Sequence, residues 1–289
     1  MKFQKTLVAV AIAGIAATPM IASADTTLSG AVQMKIQGND ADVGGDPVLA
    51  AGDVLFGIVA EQELNSGLTG YGSVRTDLDQ FSNGGADVTA DNVYVGIKGG
   101  FGDIRIGEVP VVAEYGQVAN DLHDVADDIN QGMSYTGAFG PVGVGVNYSL
   151  EDNDDVIGVG VKFGLGGFAI GAGGEDRGGD VAASVGASFG FAGASVAVHY
   201  AVQQPDGNTG DDPTAIAVKV GYGFGGVSAS LTVSQETDGA DFESKMRLDL
   251  GYGLGGGMDL STRINVNADH ADANTEDLTD WRVQLSKSF

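Results

Sequence analysis

Carboxylates dominate the chemistry open to this chain. Residues 108–128 carry Glu108, Glu114, Asp121, Asp124, Asp127 and Asp128 with no lysine or arginine among them. A second run, Glu151-Asp152-Asn153-Asp154-Asp155, lacks the spaced ligands and turn glycine of a calcium loop and reads as solvated loop. Carboxylates massed without counter-charges concentrate cations and repel anions, an effect screened beyond ~8 Å in physiological salt. Catalytic patterns are absent. His123, His199 and His270 fall on a loop, a strand face and another loop, a spacing that suggests neither a metal cluster nor a Ser-His pair. There is no cysteine for a thiolate site or a disulfide. Glycine pairs such as Gly253-Leu254-Gly255 have no helix after them and make no nucleotide loop. No catalytic residue, metal or cofactor is expected.

The elements that position these acids follow from composition and periodicity. The chain has 289 residues, 39 acidic and 14 basic side chains, a net charge of −25 and 48 glycines. Such an excess of acid disfavours nucleic-acid binding, which needs a basic stripe. The regular spacing of valine, phenylalanine and tyrosine disfavours disorder. At the start, Lys2 and Lys5 precede an apolar run from Leu7 to Ala17, and Ala22-Ser23-Ala24 forms a small-residue cleavage site. Residues 1–24 therefore read as a cleaved export signal and 25–289 as the mature chain, a single domain, with two lysines lost and a charge of −27 left.

After residue 25 the pattern has period two, not the long apolar run of a membrane helix. Val196, Val198, Tyr200 and Val202 share one face, and Ser195, Ala197, His199 and Gln203 the other. Seven tight turns, from Asn65-Ser66-Gly67 to Gly253-Leu254-Gly255-Gly256, alternate with eight longer polar segments: 38–52, 77–91, 108–128, 151–155, 174–180, 203–213, 236–243 and 268–280. That count predicts sixteen strands with both termini on the tight-turn side. The longer segments hold 32 of the 39 acids, so the strands are expected to be nearly acid-free and charge to be segregated along the strand axis. Phe101, Phe139, Phe163, Phe168, Phe189, Phe191, Tyr222, Phe224 and Tyr252 gather by the tight turns, as an interfacial girdle would. A soluble β-sandwich explains neither feature. A closed, all-β transmembrane antiparallel barrel explains both, because closure satisfies every strand backbone within lipid.

In this setting the chain resembles the trimeric general-diffusion porins of Gram-negative outer membranes. The likeness is clearest in Leu64-Asn65-Ser66-Gly67-Leu68-Thr69-Gly70-Tyr71-Gly72, in Val93-Tyr94-Val95-Gly96-Ile97-Lys98-Gly99-Gly100-Phe101-Gly102, and in an alternating last strand that ends at Phe289. The resemblance implies an outer-membrane homotrimer in lipid and lipopolysaccharide, assembled by barrel machinery that reads Phe289. It implies passive diffusion of ions and small hydrophilic solutes. It also implies that the third loop, 108–128, folds into the lumen and presents its six carboxylates as a constriction. Ala113-Glu114-Tyr115-Gly116 matches the family's Pro-Glu-Phe-Gly, which makes Glu114 the first constriction carboxylate; the family's proline is replaced here.

Strand parity, with the apolar side toward lipid, turns Lys35, Arg75, Arg105, Lys245, Arg247, Arg263 and Arg282 inward. A basic wall facing an acidic loop sets up a transverse field that separates cation and anion paths. Leu55 and Asp91 stand where the family carries wall arginines, and this weakening of the wall, with the acidic excess, predicts cation preference. The bland alternative is that Lys245, Arg247 and Arg263 pair with Asp249 and Asp259. The acidic loops could equally serve solubility in salty surroundings or divalent bridging to lipopolysaccharide. Two other functions stay open: a substrate-specific channel or surface receptor on the same barrel, with Tyr71 and Tyr94 as inward aromatics, and an outer-membrane hydrolase.

Overall fold

The computed structural model describes residues 25–39, 48–64, 67–79, 87–119, 126, 129–151, 155–207, 212–238, 241–269 and 278–289. Sixteen strands form one closed antiparallel barrel in which each pairs with its neighbours in sequence and the last pairs with the first. They are β1 (Asp25–Asn39), β2 (Val48–Glu63), β3 (Thr69–Asp79), β4 (Asp87–Gly99), β5 (Gly102–Val109), β6 (Ile129–Phe139), β7 (Val142–Ser149) and β8 (Val156–Leu165). The second half comprises β9 (Phe168–Arg177), β10 (Asp180–Phe191), β11 (Ala194–Gln204), β12 (Thr214–Phe224), β13 (Val227–Asp238), β14 (Asp241–Gly255), β15 (Met258–Asp269) and β16 (Leu278–Ser288). No helix among the described residues is long and apolar enough to cross a membrane.

The alternation is inside out relative to a soluble sheet. On β11, Val196, Val198 and Tyr200 are exposed on the outer face, whereas Ala197, His199 and Ala201 are buried on the inner one. Apolar side chains that face outward along every strand need lipid, since water would leave that surface at full hydrophobic cost. Near the tight turns eight of the nine expected girdle aromatics, Phe101, Phe139, Phe168, Phe189, Phe191, Phe224, Tyr222 and Tyr252, are exposed, and Phe163 is half-buried. Phe289 closes the seam. Its backbone N–H donates to the Gly30 carbonyl at 3.0 Å and its carbonyl accepts the Gly30 N–H at 3.1 Å. A side chain at Gly30 would collide with its ring.

Strand ends depart from expectation. Segments 174–180 and 236–243 are not long loops: β9 and β10 meet at Gly178-Gly179, and β13 and β14 are separated by residues 239 and 240 alone. Gly178 and Gly179 have φ of 64° and 115°, the left-handed region that a two-residue hairpin turn requires and glycine supplies. Glu175, Asp176, Asp180, Glu236, Asp238, Asp241 and Glu243 consequently sit on strands, not on loops. The barrel wall continues past the apolar belt, so acid is concentrated toward one end of the barrel but not excluded from its strands. The physical reason is that period-two pairing continues wherever neighbouring backbones can bond, whatever the side-chain charge.

Candidate functional site: the third loop and the inner wall

The chain leaves β5 at Pro110, and Val112–Gly116 forms a single 3-10 turn with Val112, Ala113 and Gly116 buried. This turn lies against the inner faces of β7, β8, β9, β10 and β11. Side chains from three strands hold it. Asn147 Nδ2 on β7 donates to the Pro110 carbonyl at 3.0 Å. Ser184 Oγ on β10 donates to the Ala113 carbonyl at 2.6 Å and accepts the Gly116 N–H at 3.1 Å. His199 Nδ1 on β11 accepts the Ala119 N–H at 3.3 Å. The turn also closes on itself, with the Gln117 N–H bonded to the Glu114 carbonyl at 2.8 Å. Lys162 Nζ stands 4.7 Å from the centre of the Tyr115 ring, and burial pushes the Tyr115 phenol above its ordinary range.

The six expected constriction carboxylates divide. Glu114 is half-buried in the docked turn. Glu108 belongs to the wall, on β5, where its carboxylate accepts the N–H of Asn92 at a left-handed position on β4. Asp121, Asp124, Asp127 and Asp128 lie outside the described residues, as do His123 and His270.

All seven expected basic residues fall on strands at inward register. Lys35 is on β1, Arg75 on β3, Arg105 on β5, Lys245 and Arg247 on β14, Arg263 on β15 and Arg282 on β16. Five of them occupy the contiguous arc β14–β15–β16–β1. In the closed ring, β1 is eight strands from β9, so this arc stands across the lumen from the docked loop. The cations are partnered along the wall. Arg263 Nε meets Asp249 at 2.6 Å, as expected, while Lys245 pairs with Glu236 at 3.3 Å and Glu243 at 3.2 Å. Arg247 Nε donates to Asn265 Oδ1 at 2.9 Å, and Asn265 donates to Asp280 at 2.8 Å. These partners differ from the expected Asp259, which stands opposite Gly253 and Ser286 near the tight turns. Antiparallel register decides this, because it places Lys245 one rung from Glu236 and Glu243 at the acidic end.

A second group lies on β2 to β5. The Tyr71 and Tyr94 rings meet edge to face, with centres 6.0 Å apart. Arg105 lies 4.0 Å above Tyr94, and Lys98 5.3 Å above Tyr71. The Tyr71 hydroxyl donates to Asp103, and Lys98 pairs with Glu61 at 2.6 Å. Both inward aromatics are thus in place, each beneath a cation.

Sequence reasoning missed Lys98 and Lys162, which share parity with Tyr94 and Gly160 and were open to the same argument. It also missed Asn147, Ser184 and His199 as holders of the loop. Nothing local marks those three, since their role depends on a segment 37 to 80 residues away.

A sixteen-stranded barrel with an apolar outside, a charged lumen and an inward-folded third loop defines the outer-membrane channel class of folds. The sequence profile of the Gram-negative porins matches residues 8–278, and the chain belongs to that family. One relative, named a monosaccharide porin, from Halomonas sp, is 30% identical over 159 residues, 48% of this chain and 43% of its own length. The alignment thus spans less than half of that relative. Among solved structures, OmpT of Vibrio cholerae in trimer form superposes with a TM-score of 0.74 at 15% identity, covering 93% of this chain and 100% of that one. An anion-selective porin from Comamonas acidovorans gives 0.73 at 17% identity, covering 92% and 100%. At such identities these structures speak for the fold alone; membership of the Gram-negative porin family places the chain in the outer membrane.

Proposed function

We propose that the protein forms a water-filled channel for passive diffusion of ions and small hydrophilic solutes, with preference for cations. The observation that carries this reading is the docked turn bearing Glu114 against β7–β11, across the lumen from a cationic arc in which Lys245 and Arg263 are ion-paired to wall acids. Partnered cations attract anions weakly, whereas acids crowd the loop end of the barrel, so the net field favours cations. The fold alone does not set the sign, since a structural neighbour is described as anion-selective. The decisive measurement is the reversal potential in a planar bilayer under a salt gradient. A cation-directed shift is expected; an anion-directed one removes the selectivity claim, and no conductance removes the channel.

Export by residues 1–24, assembly through Phe289, contact with lipopolysaccharide and a homotrimeric state belong to the same reading. The trimer form of the Vibrio cholerae neighbour supports the last. No catalytic step is part of it. One observation favours a second reading, a channel specific for neutral sugars: the Tyr71–Tyr94 pair with Arg105, Lys98 and Asp103, together with the name of the Halomonas relative. Saturable block of ion current by monosaccharides would support it, and current indifferent to sugar would remove it.

A further inference from the structure

Six glycines on the inner faces of β7 to β10 lie beneath the Val112–Gly116 turn: Gly145, Gly158, Gly160, Gly171, Gly173 and Gly186. Glycine weakens a strand interior, so six together need a reason. Backbone conformation is not the reason, because none of them has positive φ. Space is. A Cβ on Gly171 would overlap the Tyr115 carbonyl oxygen, and one on Gly160 the Val112 carbonyl. On Gly173 it would meet the Ala113 carbonyl oxygen at 2.5 Å, and on Gly186 it would overlap the Gly116 carbonyl. At Gly145 the obstacles are side-chain atoms, Val112 Cγ1 at 2.6 Å and Tyr115 Oη at 2.8 Å. At Gly158 a Cβ would overlap the Asn147 side-chain oxygen and stand 3.3 Å from Val112 Cγ2. The loop backbone therefore lies directly on the wall backbone, closer than any side chain permits.

We propose that these glycines determine the bore of the channel, because they let the Val112–Gly116 segment of the third loop lie flush with the wall and leave the rest of the cross-section to solute. The proposal rests on the channel reading and assigns its size-determining residues to the wall behind the loop. An added methyl must push the loop toward the lumen, since the obstructing atoms at Gly160, Gly171, Gly173 and Gly186 are main-chain and cannot rotate away. Conduction falls with the open cross-section, so even a small displacement of this segment into the lumen is readable.

The test compares folded wild-type protein with Gly171→Ala, Gly173→Ala, Gly145→Ala and Gly164→Ala by single-channel conductance and by the largest neutral polymer that enters. Gly164 is the control: it is on β8, with nothing within 4 Å of an added Cβ. Gly171→Ala and Gly173→Ala are expected to lose roughly a fifth or more of the conductance and to exclude smaller polymers; Gly164→Ala is expected to match wild type. Should the two main-chain variants not fold, Gly145→Ala decides: it narrows the channel, and adding Val112→Ala restores part of the loss. Folded Gly171→Ala, Gly173→Ala or Gly145→Ala with wild-type conductance and exclusion limit overturns the proposal, as does an equal loss in Gly164→Ala. A wild-type protein that does not conduct overturns the channel reading instead.

Discussion

His199 holds Ala119 across 80 residues of chain: the buried imidazole Nδ1 on β11 accepts the Ala119 backbone N–H at 3.3 Å. With Ser184 on β10 and Asn147 on β7 it fixes the loop at three points on the wall. An accepting Nδ1 requires the proton on the other ring nitrogen, so the tautomer is set by the loop it restrains.

His199→Ala removes one end of this hold and orphans a buried N–H, at a cost of about 1–3 kcal/mol. The expected outcome is a lower melting temperature and larger current fluctuations in the open state, with mean conductance little changed. Fluctuations equal to wild type would mean that Ser184 and Asn147 suffice.

Glu114→Gln together with Asp124→Asn removes two negative charges from the third loop without changing its size. The cation-to-anion permeability ratio from reversal potentials should fall by roughly twofold or more, as expected when charge is taken from a constriction. An unchanged ratio would place selectivity at the acidic barrel mouth.

Ionic strength separates these two locations. The Debye length shrinks from ~10 Å at 0.1 M to ~3 Å at 1 M salt, so a preference created by carboxylates around a wide mouth should fade across that range. Preference generated at a narrow loop should persist. Permeability ratios at several mean concentrations, in wild type and in the Glu114→Gln, Asp124→Asn variant, distinguish them.

Deleting Phe289 removes both backbone hydrogen bonds to Gly30 and the ring that covers it. Folded protein recovered from the membrane should fall sharply, because an open seam leaves edge groups in lipid. Gly30→Val should show a milder form of the same defect by crowding the ring. Normal assembly of both variants would show that the β1–β16 ladder closes without the terminal residue.

Much of the fold was legible because a barrel writes itself locally. Val196, Val198 and Tyr200 point outward for the same reason at every strand, and a period of two needs no knowledge of distant partners. The same rule turned Arg263 and Asp249 inward, and adjacent strands then brought them together. It failed at Gly178-Gly179, where glycine-rich polar sequence suits a two-residue turn and a longer loop alike.

What the sequence by itself determined is the strand number, the face of each side chain and the end of the barrel that holds the acid, all consequences of alternation and short-range turns. Only the tertiary structure decided where the third loop rests. That depends on Asn147, Ser184, His199 on β11 and a bed of glycines drawn from the four successive strands β7–β10. Their fit to Val112–Gly116 is a matter of shape and bond geometry between segments distant in the chain, which no local pattern records.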